Sequence, residues 1–200
     1  CCVLIPARTG SKRIPNKNTR DFLGKPVLAY SIEAAKASGL FDRVIVSSDS
    51  DEVGIVAAQY GAQYFRRSRL YATDEATMYA ALVEVLRHYQ EQFLAREVDH
   101  LYEYACMIYA CAPFISARRL VEGYARVADG YHAVFPVYQG PHLERAMFIK
   151  SGRIVSRFPD KQEENSNQWP VSYYHAAQWF WARTDVLELN ASLMPSHSWG

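Results

Sequence analysis

Short apolar runs of strand length alternate along this chain with segments whose apolar residues recur at helical spacing, and few architectures accept that alternation. Residues 2–6 (CVLIP) are an uncharged run closed by Pro, and residues 43–47 (RVIVS) are rich in β-branched side chains; both read as buried strands. Between them, residues 29–38 carry Ile32, Ala34 and Ala35 at helical intervals and stop at Gly39, a suitable C-terminal cap. Asp49, Asp51 and Glu52 then put negative charge where a helix reaching about residue 60 should begin, so all three read first as caps, with orientation of the loop after the first strand as the second reading of Asp49. Residues 63–65 form a third extended piece, and residues 76–93 a long helix with Leu82, Val85, Leu86 and Tyr89 on one face. Residues 104–110 read as a central strand buried on both faces, followed by a helix over 118–128. The pattern predicts a three-layer α/β fold with a mainly parallel sheet, and ligands at the carboxyl ends of the strands.

From residue 133 the pattern changes. Residues 133–138, 145–150 and 153–158 read as strands, with Lys150-Ser151-Gly152-Arg153 as a hairpin turn, so an antiparallel extension is expected. Residues 160–168 are a polar surface loop, and the aromatic run 173–181 returns to a core or an interface. No repeat or linker divides the 200 residues, and one domain is expected. Half the residues are hydrophobic and 22% are charged, which excludes a disordered chain. No uncharged stretch approaches the roughly 20 residues of a membrane span. The net charge of +1 supplies no field for nucleic acid or anionic lipid, so any anion site must be local. Nothing at the start reads as a secretory signal, and a cytoplasmic protein is expected. Cys1, Cys2, Cys106 and Cys111 lack metal or redox spacing and read as buried free thiols. The six histidines show no ligand spacing either.

The most informative segment is PARTGSKRIPNKNTR, residues 6–20. Arg8, Lys12, Arg13, Lys17 and Arg20 lie in it without one acid before Asp21, so five of the 22 Lys and Arg residues crowd the loop leaving the first strand. Gly10 and Ser11 let backbone N–H groups turn toward one point and form an anion-binding concavity. The loop matches neither GxxxxGK[ST] nor the three-glycine dinucleotide fingerprint. On residues alone, a nucleotide or sugar phosphate site and a basic surface loop fit it equally.

PARTGSKRIPNKN, followed by DFLGKP, AYSIEAAKASGLFDRVIVSSD and a YGA element, resembles the acylneuraminate cytidylyltransferases, which activate nine-carbon acidic sugars as CMP derivatives. The pieces IYACAPF, ERAM and YYHAAQWFW resemble the pseudaminic acid branch, and the likeness runs over residues 3–183. It implies a Rossmann-like nucleotidyltransferase fold. It also implies a reaction in which the anomeric hydroxyl of a 2-keto sugar acid, pseudaminic acid first, attacks the α-phosphate of CTP and releases pyrophosphate. Mg²⁺ is the implied cofactor and a homodimer the implied assembly, with residues 139–172 as the dimerisation or sugar-site extension. By motif position, Arg8, Gly10, Ser11, Lys12 and Lys17 would hold the triphosphate, with Arg8 and Lys17 catalytic. Asn18 would approach base or ribose, and Arg66 with Thr77 would complete the cytidine pocket. Tyr109, Arg145 and Gln178 fall at sugar positions, Arg145 as a carboxylate clamp; on residues alone, Glu144 and Arg145 are an ion pair on a solvated strand edge.

Some positions depart from the family pattern. Thr9 and Ala177 stand where glycine is usual, so a side chain there could clash with a close-approaching ligand or oppose a positive φ, although both loops could tolerate it. His175 stands where the pseudaminic branch carries Asp, exchanging a hard oxygen ligand for an imidazole. The paired metal carboxylates of the family, two Asp spaced by one residue, are not found here, so no metal ligand is assigned and a partial sequence is expected. Two other readings stay open: transfer to another acylneuraminate-type sugar, and a non-catalytic homologue that binds nucleotide only.

Overall fold

A computed structural model describes residues 1–11, 14–73, 76–190, 192–194 and 197–199. The chain divides into two compact units, Cys1–Phe135 with Ala177–Gly200, and Pro136–Ala176. The second unit takes in the 139–172 extension.

In the first unit the elements run β1 (Cys2–Pro6), β2 (Asp21–Phe22), β3 (Lys25–Pro26), α1 (Val27–Ser38), β4 (Arg43–Ser48), α2 (Asp51–Gln59), β5 (Gln63–Arg66), α3 (Met78–Leu94), β6 (Tyr104–Ile108), α4 (Ala117–Ala128) and β7 (Ala133–Val134). The second unit holds β8 (Val137–Gln139), β9 (Met147–Lys150), β10 (Arg153–Ser156) and β11 (Tyr173–His175). The chain then returns to the first unit with β12 (Trp179–Arg183), α5 (Thr184–Asn190) and β13 (Ser198–Trp199).

Seven strands form the main sheet in the order β13-β7-β12-β6-β1-β4-β5. β1 pairs parallel with β4 and β6, and β4 parallel with β5, whereas β12 runs antiparallel to both β6 and β7. The expected three layers are present. Alternate residues of each strand feed opposite cores, because successive side chains of a strand point to opposite faces. Val3, Ile5, Cys106 and Ile108 pack with Leu28 and Ile32 of α1, Val53 of α2 and Leu120 of α4. Cys2, Leu4, Ile45 and Ala105 pack with Leu82, Val85 and Tyr89 of α3 and with Leu187 of α5.

Two aromatic residues join β12 to the first of these cores. Trp181 is fully buried, stacks on Phe41 at 5.1 Å between ring centroids, and donates its indole N–H to the Leu120 carbonyl at 3.0 Å. α4 reaches this pair through Gly123, where a Cβ would come within 2.6 Å of Trp179 and 2.9 Å of Trp181. The aromatic run therefore serves one core with Trp179 and Trp181, while Trp169 belongs to the second unit.

Local signals set the helix ends. Gly39 caps α1 in the left-handed conformation, with its N–H on the Lys36 carbonyl. Thr77 caps α3, its hydroxyl accepting from Ala80 N–H at 3.1 Å, and so starts that helix at Met78, two residues after the expected 76. The expected strand over 133–138 is two strands, β7 and β8, one in each unit. The 150–153 hairpin forms as expected, joining β9 and β10.

Candidate active site

In the first unit, a cleft of about 540 Å³ opens at the carboxyl edge of the sheet, where strand order reverses between β1 and β6. Pro6 and Arg8 enter it from the end of β1, Arg67 from the end of β5, and Tyr109, Ala110 and Cys111 from the end of β6. Thr77 and Met78 close it with the first turn of α3, whose unsatisfied N–H groups carry partial positive charge.

The loop that follows β1 is pinned at several points. Ala7 N–H bonds the Ser47 carbonyl at 2.9 Å, and the buried Ser48 hydroxyl donates to the Ala7 carbonyl at 2.7 Å. Asn18 is 8% exposed and donates its side-chain amide to the Arg8 carbonyl at 3.0 Å, tying the returning leg of the loop to the outgoing one. Gly10 has φ +74°, the left-handed backbone that glycine adopts without cost. Arg8, Ser11, Lys17 and Asn18 all line the cleft, and Gly10 lines a small hollow beside it. Lys12 lies outside the described residues.

Thr9 is bonded to the segment after β4. Its N–H and its hydroxyl both donate to the Asp49 carboxylate, at 2.8 and 2.6 Å. The reading of Asp49 as a helix cap is thereby corrected: α2 has Ser50 at its N-cap, and Asp49 faces the loop. Burial raises the Asp49 pKa, but the Thr9 hydroxyl and amide, its own backbone N–H and the charge of Arg67 outweigh that and hold it below the ordinary aspartate value.

Arg66 is not part of the cleft. Its guanidinium pairs with Asp51 and donates to the Tyr64 hydroxyl on the exposed side of β5. The cleft arginine is the next residue. Arg67 is 5% exposed, donates Nε to the Ser47 hydroxyl at 3.0 Å and Nη2 to the Ser47 carbonyl at 2.8 Å, and bonds the Ser48 carbonyl through its own N–H. Burial pushes its pKa down, the carboxylates of Asp49 and Glu84 pull it up, and Arg8 pushes it down again. Two guanidiniums thus repel across a cleft that also holds Lys17, which favours an anion between them. The Arg-Arg dipeptide was the available signal; choosing between its members requires the phase of the strand.

Thr77 lines the cleft with its hydroxyl already engaged as a helix cap. Tyr109 lines it too, held by main-chain bonds: Ser31 donates to its carbonyl at 2.8 Å, and its N–H donates to the Gln178 carbonyl at 2.9 Å. Gln178 meets Tyr109 through that carbonyl, and its side chain is not among the lining groups. Ala177, at the usual glycine, adopts the expected left-handed φ of +51°, a strain of about 1 kcal/mol. Cys2 and Cys106 are buried free thiols as expected, while Cys1 and Cys111 are half-buried, Cys111 on the cleft wall.

Arg145 lies in the second unit, where its guanidinium has other employment than a carboxylate. Nη1 and Nη2 donate to the Gln162 and Glu164 carbonyls, and the plane sits 5.0 Å from the Trp169 ring centre. Trp169 in turn donates to Glu164 at 2.9 Å, so this arginine organises the 158–169 segment. His175, also in this unit, has its pKa lowered by burial.

Known proteins share this chain's architecture and sequence. A family model described as cytidylyltransferase matches residues 2–135. A pseudaminic acid cytidylyltransferase of Campylobacter jejuni is 35% identical over 184 residues, covering 90% of this chain and 77% of that protein. A CMP-N,N'-diacetyllegionaminic acid synthase of Legionella pneumophila is 37% identical over 172 residues, covering 84% of this chain and 72% of that one. A solved CMP:2-keto-3-deoxy-manno-octonic acid synthetase complexed with CTP superposes with a TM-score of 0.68 at 21% identity, covering 97% of this chain and 78% of that one, a likeness of fold. The family-model match and the length of the two alignments lead to one conclusion: this chain is a member of the cytidylyltransferase family.

Proposed function

We propose that the chain transfers CMP from CTP to a nine-carbon 2-keto sugar acid, with pseudaminic acid the first choice, and releases pyrophosphate. The observation that carries this reading is the convergence of Arg8, Lys17 and the buried Arg67 on one cleft at the strand-order reversal. Its volume falls within the usual range for small-molecule sites.

In the reaction the anomeric oxygen of the sugar forms a bond to the α-phosphorus of CTP and loses its proton, while the bond from that phosphorus to the bridging oxygen breaks and pyrophosphate leaves. Negative charge spreads over the phosphoryl oxygens during this exchange, so fixed donors aimed there lower the barrier. Arg8, Gly10, Ser11 and Lys17 hold the triphosphate in this reading, and Arg67 replaces Arg66 as the second guanidinium. Asn18 acts on the nucleotide by fixing the Arg8 carbonyl, and Thr77 by fixing the start of α3. Tyr109 forms part of the wall, beside the half-buried Cys111.

Mg²⁺ is the cofactor expected of the family. Among the described residues no three of His, Cys, Asp or Glu come together to hold a metal, and the Asp49 carboxylate is engaged by Thr9. Mg²⁺ is commonly held by one or two carboxylates together with the phosphates of the substrate, so no ligand is assigned to it here and no step runs through it.

The proposed assembly is a homodimer formed through the second unit. On its β9–β10 hairpin, Phe148 is 49% exposed, Met147 57%, Ile154 74% and Ile149 77%, and an apolar two-stranded ribbon is marginal in water without cover. Among the described residues no helix is long and apolar enough to cross a membrane. A cytoplasmic location is part of this proposal, since its donor is CTP.

The test is pyrophosphate release from CTP against a panel of pseudaminic, legionaminic, N-acetylneuraminic and shorter 2-keto-3-deoxy acids. Release with one of the nine-carbon acids and none without sugar is expected. Absence of release with every acid, in protein that binds CTP, would leave a nucleotide-binding homologue.

A further inference from the structure

Asp49 lines no part of the cleft, yet it stands at the junction of the two structures that do. On one side its Oδ1 and Oδ2 accept the N–H and hydroxyl of Thr9. On the other side its charge acts on Arg67, which Ser47, two residues earlier, holds by side chain and main chain. Thr9 sits between Arg8, whose carbonyl is tied by Asn18, and Gly10, whose left-handed φ leaves the chain free to turn. The two Asp49 bonds therefore tie Thr9, the middle of this segment, to the residue that follows β4.

An ionised carboxylate suits this task because both groups facing it are donors and it is an acceptor only. Bonds to an ionised group are also stronger than neutral ones. A carboxylate near a triphosphate site opposes the ligand by charge, so its presence there calls for a compensating duty. We propose that Asp49 is a positioning residue for nucleotide binding: through Thr9 it sets the placement of the phosphate loop relative to Arg67. This deepens the reading given above and rests on it for the nucleotide alone; the loop's anchorage stands without a ligand.

Four variants separate the parts. Asp49→Ala removes both bonds and the charge. Asp49→Asn keeps the shape, and its amide can donate to the Thr9 hydroxyl, so only the charge is lost. Thr9→Val removes the hydroxyl bond alone, and Thr9→Ser restores it. In ligand-free protein, amide hydrogen exchange at residues 9–11 should rise roughly tenfold or more in Asp49→Ala, the fold-change of about one charge-assisted bond, and less in Asp49→Asn. Calorimetry with CTP should show a Kd weakened by a similar factor in Asp49→Ala, a smaller loss in Thr9→Val and wild-type affinity in Thr9→Ser. In steady state KM for CTP should rise more than kcat falls.

The proposal is overturned if exchange at residues 9–11 and the CTP Kd both stay within about twofold of wild type in Asp49→Ala and Thr9→Val. A lowered melting temperature with unchanged exchange and KM also overturns it, since that is a purely structural role. If Asp49→Ala does not fold, the Thr9 pair decides by the same criteria. If wild-type protein fails to bind CTP, the functional reading falls, while exchange at residues 9–11 still decides whether Asp49 anchors the loop.

Discussion

The two units of this molecule are held by different physics. The first has a three-layer core in which strand after strand is buried on both faces, from Cys2 and Leu4 to Trp179 and Trp181. Not one of its fully buried hydrophobic residues has a counterpart in Pro136–Ala176, whose order comes from two ribbons, single 3-10 turns and polar ties such as Arg145 to the Gln162 and Glu164 carbonyls. A preorganised cleft needs walls that do not give, and the first unit has them. The second has surface to offer, and a change there meets little packing resistance.

That contrast can be broken by mutation. Trp181→Ala should cost about 3–5 kcal/mol, because it empties a packed site and leaves the Leu120 carbonyl without its donor. Urea unfolding measures it, and a loss below about 1 kcal/mol would erase the distinction between the units. Arg67→Ala should lower kcat/KM for CTP by about two orders of magnitude, the scale for one transition-state donor, whereas Arg66→Ala should change it only a few-fold. Pyrophosphate release reads both, and equal effects would mean that either arginine can serve.

Smaller effects probe the second unit. Arg145→Ala should speed proteolysis within residues 158–169 while moving the melting temperature little; a large shift would show that this unit contributes more to stability than its exposed side chains indicate. Ile149→Lys with Ile154→Lys should stay within about 0.5 kcal/mol of wild-type stability and convert the proposed dimer to monomer by light scattering.

The smallest effect is a pH dependence in the first unit. Asp49 has a folded pKa below its unfolded one, so its contribution is complete above the ordinary aspartate value of about 3.9 and is lost as pH falls through the folded value. The stability difference between wild type and Asp49→Asn should therefore shrink as the solution is acidified past that point. A constant difference down to pH 2 would contradict the assignment.

Where a fact is local, it is readable in the residues. The strand at Cys2–Pro6, the Gly39 cap and the hairpin at 150–153 each follow from a few neighbours in sequence, and the structure has them. The basic loop was equally plain, since five cations without an acid need no fold to be noticed. What escaped depends on partners far along the chain. Asp49 reads as a cap first and as a loop anchor only second, because helix-start chemistry is local while its partner, Thr9, lies 40 positions earlier. Arg67 looks interchangeable with Arg66 until the pairing of Ser48 with Arg66 sets which of the two turns inward toward Ser47. Arg145 matches a cation position by motif, but its bonds run to carbonyls 17 and 19 residues away, which no spacing rule reports.

Ser47, Ser48 and Asp49 between them grip Ala7, Thr9 and Arg67. In any redesign of this cytidylyltransferase that tripeptide is the part to leave alone, because an insertion there would displace three anchors together and no single second change could restore them. The freedom lies between Pro136 and Ala176, where no hydrophobic side chain is fully buried and a change meets little packing.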